Sequence, residues 1–180
     1  LAGMWLLHLF CKHGKAVLTP EQQSFTITAM MIGVLLGGRL GYSLFYALEE
    51  TLHRPWVIFQ IWKGGMASHG GFIGVLVACW WVAKKLKLSF LQLGDLLCPL
   101  VPPGILLGRI ANFINGELWG KVSNVSWAVI FPQSAMQGTP VELISARHPS
   151  QLYEAGLEGA LLLIYSQWRL WKTDALNSSG

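Results

Sequence analysis

The residues of this 180-residue chain that could do chemistry stand where polar groups are hardest to support, within or beside long apolar stretches. Arg39, His69, Asp95, Arg109, Asn112, Asn115, Glu117, Glu154 and Glu158 remain once the charged clusters between those stretches are set aside. An ionisable group near a bilayer centre costs at least about 2.5–3.5 kcal/mol on insertion scales, so each must face a partner, a cavity or water. Arg109 and Asn112, at i and i+3, share a helix face, and Gly108 beside them admits a ligand or a second helix at close range. Arginine presents a planar fork of charge-assisted donors that suits phosphate oxygens, and asparagine adds a donor or accepts from a hydroxyl. The competing reading is an arginine paired to Glu117, Glu154 or Asp95 only to hold helices together.

His69 lies between Ser68 and Gly70-Gly71, at a glycine-rich break leading into a helix. An imidazole titrates near neutral pH and could accept the proton of a thiol or alcohol, with bare glycines letting a substrate approach; a lone histidine is more often structural. Glu154 and Glu158, at i and i+4, repel unless a cation intervenes, so an arginine from another span is expected beside them, with Arg39 a candidate structural partner. Asp95 reads equally as a helix-start acid. Cys11, Cys79 and Cys98 lack CxxC spacing and read as inert core thiols, and no second His or Cys stands at ligand spacing from His69, so no metal is expected.

The elements that must carry these groups are membrane spans. Hydrophobic residues make up 53% and charged ones 12% of the chain, about half the charged share usual in soluble domains. The apolar residues come in long stretches separated by short charged clusters, which predicts one all-α domain, a polytopic transmembrane bundle. Spans are expected at about 1–10 (entered part-way), 25–48, 65–83, 90–113 and 149–168, with a small mixed extramembrane region at about 115–147. Pro20 to Ser24 suits a helix start, and a strand is expected at Trp127 to Phe131. Gly33, Gly37 and Gly41 bare one face of the second span for close helix packing. Pro99, Pro102 and Pro103 should break the fourth, and broken helices are sheltered and often line sites. Trp56, Trp62, Trp119, Trp127, Trp168 and Trp171 stand near span ends, as interfacial rings do. Lys12, Lys15, Lys84, Lys85, Lys87, Arg169 and Lys172 mark the cytoplasmic side, leaving 115–147 and the approach to His69 outside. The formal charge of +4 forms no continuous patch, so nucleic acid is not an expected partner.

The run Gly108-Arg109-Ile110-Ala111-Asn112-Phe113-Ile114-Asn115-Gly116-Glu117-Leu118-Trp119-Gly120 closely resembles the signature of bacterial prolipoprotein diacylglyceryl transferases. Gly37 to Tyr42, Gly64 to Gly71 and Arg147 to Glu154 agree with the same family in order and spacing. The resemblance implies a seven-helix enzyme of the bacterial inner membrane, with the outer region periplasmic and no cofactor. It implies transfer of the diacylglyceryl group of phosphatidylglycerol to the lipobox cysteine thiol of a prolipoprotein signal peptide, releasing glycerol 1-phosphate. It further implies that Arg109 binds the lipid phosphate, that Asn112, Glu117 and Gly120 shape the same pocket, and that His69 is the candidate base. Arg39, Asp95, Asn115 and Glu154 are then supporting residues. The family pattern also has a tyrosine-bearing stretch before this chain's first residue, and two C-terminal helices with a tyrosine, a second arginine and further acids. The expectation is therefore a piece of a longer protein that does not complete the reaction alone. A truncated lipid-binding paralogue without catalysis is the alternative, and a small transporter a more distant one.

Overall fold

The computed structural model describes residues 2–16 and 18–173; Leu1, Val17 and residues 174–180, most of the polar tail expected to be too short for another span, lie outside the described residues. The described residues form two compact units, residues 4–96 and residues 97–173 with 2–3. The boundary in the chain falls at the proline-rich break.

In the first unit α1 (Ala2–Lys12) buries Leu6, Leu7 and Phe10 along one stripe. Helix α2 (Pro20–Phe45) starts where Pro20 sets the first φ and Thr19 and Gln22 form a reciprocal cap. Thr19 Oγ1 accepts from the Gln22 N–H at 3.3 Å, and the Gln22 side-chain oxygen accepts from the Thr19 N–H at 3.0 Å. A short helix, α3 (Leu48–His53), and two 3-10 turns, Pro55–Phe59 and Ile61–Lys63, lead to α4 (Ser68–Leu86). Lys87, at φ 57°, stops α4 in a left-handed turn, and α5 (Phe90–Leu97) follows.

Helix α2 is inside out by the rules of a water-soluble protein. Its buried residues include Gln23, Thr26, Arg39 and Ser43, whereas Met31, Ile32, Leu35, Leu36 and Leu44 are exposed. On α4 Phe72, Ile73, Leu76 and Trp80 are exposed as well. Such continuous apolar surface is unfavourable in water and costs nothing against lipid tails. Two helical stretches among the described residues, Pro20–Phe45 and Phe90–Asn115, are each 26 residues and apolar enough to cross a membrane. At 1.5 Å per residue Pro20–Phe45 reaches roughly 39 Å, beyond the ≈ 30 Å hydrocarbon core.

With lipid outside, helix association has to come from close packing rather than hydrophobic burial. The glycine face of α2 supplies it against α4. A Cβ at Gly37 would collide with the Gly70 carbonyl oxygen and lie 2.8 Å from Gly74 Cα; one at Gly33 would lie 2.6 Å from the Gly74 carbonyl oxygen; one at Gly41 would lie 2.8 Å from Gly70 Cα. These are backbone atoms, which cannot swing aside. Gly37→Ala is therefore expected to force the helices apart at a cost of roughly 1–3 kcal/mol. Thermal unfolding in detergent should show a melting temperature several degrees lower for Gly37→Ala, and no change for Gly94→Ala, where nothing stands within 4 Å of an added Cβ.

In the second unit a 3-10 turn, Cys98–Leu100, precedes α6 (Pro102–Asn115), so the interruption expected at the prolines is present. Gly116, at φ 66°, closes α6 with its N–H turned back to the Asn112 and Phe113 carbonyls. The final helical stretch runs through α7 (Ser150–Glu154), a wide π-helical segment at Ala155–Leu161 and α8 (Leu162–Lys172). A Cβ at Gly159 would lie 2.7 Å from Leu106 Cα, so the π-helical segment packs directly on α6.

Two expectations are corrected. The strand at Trp127 to Phe131 is reduced to one bridge from Val129 to Arg147, and Arg147 also bridges to Val122. Arg147 thus meets two partners rather than a run of them, and Pro149 soon after it has no N–H to extend a ladder. Otherwise the region holds turns and the short 3-10 segments Pro132–Ser134 and Val141–Leu143. Of the cysteines, Cys79 is buried, but Cys11 is half-buried and Cys98 exposed, so the core-thiol reading fits only Cys79.

Candidate functional site

The charged centre of the second unit joins α6 to α7. Arg109 Nε lies 2.8 Å from Glu154 Oε2, with the two side chains 31% and 38% exposed. The packing of Gly159 on Leu106 brings the two backbones close enough for this pair to form. Of the three carboxylates the sequence offered, Glu154 is therefore the one that Arg109 meets. The contact closes at Nε, and among the described residues Arg109 makes no ion pair with a second carboxylate. A guanidinium held at Nε can still turn its outer edge, the part that chelates a phosphate or carboxylate in two parallel bonds, toward a ligand. Asn112 is half-buried one turn further along α6, and Asn115 is exposed at its end. Glu158, on the π-helical segment, is exposed.

Beyond α6 the chain turns through Glu117 and Gly120. The Glu117 N–H donates to the Asn112 carbonyl at 2.8 Å, which continues the helix-end pattern, and the Glu117 side chain is exposed. Leu118 is held at φ 55°, a left-handed conformation that costs a side-chain-bearing residue about 1–2 kcal/mol. What holds it is the segment entering α7. Gln151 Nε2 donates to the Glu117 carbonyl, and Ser150 Oγ donates to the Leu118 carbonyl at 2.9 Å. Arg147 Nη1 donates to the Gly120 carbonyl at 3.3 Å, and the Gly120 N–H donates to the His148 carbonyl at 2.9 Å. The His148 N–H closes the series on the Lys121 carbonyl at 3.0 Å. Gly120 has no room for a side chain, since a Cβ would lie 2.9 Å from both His148 Cβ and the His148 carbonyl oxygen. Phe131, 3% exposed, sits beneath, with its ring 5.9 Å from Phe113 and 6.3 Å from Trp119. Beside this strap Tyr153 Oη accepts from Trp127 Nε1 at 2.6 Å and lies 3.1 Å from His148 Nδ1.

In the first unit Arg39 is not the partner of the glutamates. Only 3% exposed, it spends its donors on backbone carbonyls: Nε on Ile58 at 3.0 Å, Nη1 on Gly64 at 2.5 Å and Gly65 at 3.1 Å, and Nη2 on Val57 at 2.6 Å. Carbonyls of a partly buried loop need donors as much as a carboxylate needs a cation, and a five-donor fork supplies several at once. Next to it, the Gly38 carbonyl accepts from the Ala67 N–H at 2.9 Å, which fixes the residue capping α4. His69, the second residue of α4, is exposed at that pinned helix start. Asp95 is half-buried on α5 and has a partner. Among the described residues no group of His, Cys, Asp and Glu side chains is arranged to hold a metal ion.

Sequence reasoning singled out Arg109, Asn112, Glu117 and Gly120, which the structure places along α6 and the turn after it. Arg147, His148, Ser150 and Gln151 entered only as part of the stretch Arg147 to Glu154 that agrees with the family, with no role given to any of the four. The available signal was a glutamine at the start of an apolar helix, since a polar side chain buried there must bond something, but no spacing rule pairs residue 151 with residue 117.

Inside-out helices, a small-residue crossing and an arginine–carboxylate pair between helices define a helical membrane protein with a charged pair in its second unit. Comparison with known sequences makes the class specific. The family model for prolipoprotein diacylglyceryl transferase matches residues 1–179, and the chain belongs to that family. A phosphatidylglycerol–prolipoprotein diacylglyceryl transferase of Legionella pneumophila (strain Paris) is 49% identical over 163 residues, covering 90% of this chain and 60% of the relative. One from Pseudomonas aeruginosa (strain LESB58) is 49% identical over 165 residues, covering 91% of this chain and 59% of the relative. The chain thus spans about 60% of the length of the curated relatives it matches.

Proposed function

We propose that the full-length protein carrying this chain transfers the diacylglyceryl group of phosphatidylglycerol to the lipobox cysteine of a prolipoprotein in the bacterial inner membrane. The observation that carries this reading is the Arg109 guanidinium, partly exposed and held at Nε by Glu154, inside the run of residues that most closely resembles the family signature. The relatives' names give phosphatidylglycerol and a prolipoprotein. In the reaction the cysteine thiol loses its proton and its sulfur attacks the glyceryl carbon bonded to the phosphate. A C–S bond forms, the C–O bond breaks, and the electron pair leaves with glycerol 1-phosphate. Thiolate is the competent nucleophile, and the charge growing on the departing phosphate monoester is what a fixed cation stabilises. Arg109 is assigned to that charge. Asn112, Glu117 and Gly120 are assigned to the pocket around it, Arg39, Asp95, Asn115 and Glu154 to its support, and His69 to the thiol proton. Sidedness follows the lysine distribution, with residues 115–147 in the periplasm.

The direct test is conversion of a lipobox peptide by the full-length protein in phosphatidylglycerol vesicles, followed by the mass gain of a diacylglyceryl group. No conversion by the folded wild-type protein would overturn the reading. His69→Asn is expected to lower turnover roughly 10²–10⁴-fold, the range of a lost general base, with little change in the apparent affinity for lipid. Near-normal turnover in that variant removes His69 from the proton transfer and leaves the rest standing.

A further inference from the structure

We infer that Gln151 is a positioning residue of this site, which fixes the turn carrying Glu117 to the same rigid helix that carries Glu154. The inference rests on the transfer reading and deepens it.

Three observations converge on Gln151. Its side chain is fully buried, at 0% exposure, and donates through Nε2 to the Glu117 carbonyl, 34 residues away in sequence. Its Oε1, equally buried, has no partner among the described residues. A buried amide satisfied on one side only is worse for stability than an apolar side chain of similar volume, so packing alone gives no reason for a glutamine here. The reason lies in the bond it makes. The turn it grips contains Leu118 in a left-handed conformation that the local chain does not favour, and Ser150 beside it grips the next carbonyl.

The placement of Gln151 on α7 gives that bond its consequence. Gln151 and Glu154 stand at i and i+3, on one face of the helix. Glu154 holds Arg109 Nε, and Gln151 holds the backbone of Glu117. One helical turn therefore sets both the orientation of the guanidinium on α6 and the path of the turn that follows α6. Without Gln151, Arg109 keeps its carboxylate but the turn loses its hold at the Glu117 carbonyl, with Ser150 and Arg147 left to restrain it from Leu118 onward.

The test uses the full-length protein in phosphatidylglycerol nanodiscs and two readouts. Gln151→Met keeps the volume and removes the donor. Hydrogen exchange across residues 116–121 is expected to rise about tenfold or more in this variant, with α2 and α4 unchanged. Transfer is expected to fall between about tenfold and a hundredfold in kcat, the effect of a misplaced group, with KM for lipid changed far less. In a Glu117→Ala background, Gln151→Met should add no further loss, because residues acting through one group are not additive. Unchanged exchange across 116–121 overturns the inference. Faster exchange with losses that multiply in the double variant also overturns it, since the role is then general packing. Faster exchange in a protein whose wild type transfers nothing sinks the transfer reading while the hold on the turn stands. Gln151→Glu, equal in shape but an acceptor in place of the donor, gives the same two readouts if the apolar variant does not accumulate.

Discussion

Arg109→Ala in the full-length protein is expected to lower diacylglyceryl transfer by roughly 10²–10³-fold, the usual loss when one donor aimed at developing charge is removed. The effect should lie mainly in turnover, because the charge on phosphate grows as the C–O bond breaks. Arg109→Lys is expected to recover only part of the loss: an ammonium keeps the charge but cannot hold Glu154 with one nitrogen and offer two parallel donors with the others. Glu154→Gln separates orientation from charge, since it keeps an oxygen facing Arg109 Nε and removes the carboxylate. It should cost less than Arg109→Ala. The measurement is initial-rate transfer at saturating phosphatidylglycerol, with the melting temperature confirming that each variant folds. Transfer by Arg109→Ala within about tenfold of wild type would show that the arginine only ties α6 to α7.

Arg39→Met is expected to destabilise the first unit more than any other single exchange there. The carbonyls of Val57, Ile58, Gly64 and Gly65 lose their common donor together, and that of Val57 keeps a second bond, from the Gln60 N–H at 3.0 Å. A buried polar group left unsatisfied costs roughly 1–3 kcal/mol, so even two unrescued carbonyls remove about 2–6 kcal/mol. For a chain of this size each kcal/mol shifts the melting temperature by about 2–4 °C, which puts the expected drop at roughly 10 °C. Arg39→Lys should recover only part of it, because three donors on one nitrogen cannot span carbonyls that now meet Nε, Nη1 and Nη2 separately. Protease nicking within residues 54–66 at temperatures where wild type is intact would locate the damage. A melting temperature within about 2 °C of wild type would show that the loop satisfies its carbonyls without Arg39. Arg39 acts through the loop that enters the helix bearing His69.

The sequence by itself determined the class. Composition, the length of the apolar stretches and the proline break follow from the chemistry of consecutive residues, and the solvent that suits them is lipid. It also determined the α2 packing face, because Gly33, Gly37 and Gly41 recur at helical spacing and bare backbone can serve only close approach. The family resemblance was legible for the same reason: its motifs are contiguous. Partnerships were not legible. Arg39 was expected near carboxylates and meets carbonyls; Arg109 had three candidate acids and meets Glu154; Gln151 was given no role and holds a turn 34 residues upstream. Even the strand expected from Trp127 to Phe131, whose local pattern was favourable, needed a partner run that Arg147 and Pro149 do not provide. Hydrophobic period and backbone preference act within a few residues, so sequence alone sets which helices form and what solvent surrounds them. Which polar group satisfies which depends on where the chain returns after long turns, and only the tertiary structure decided that.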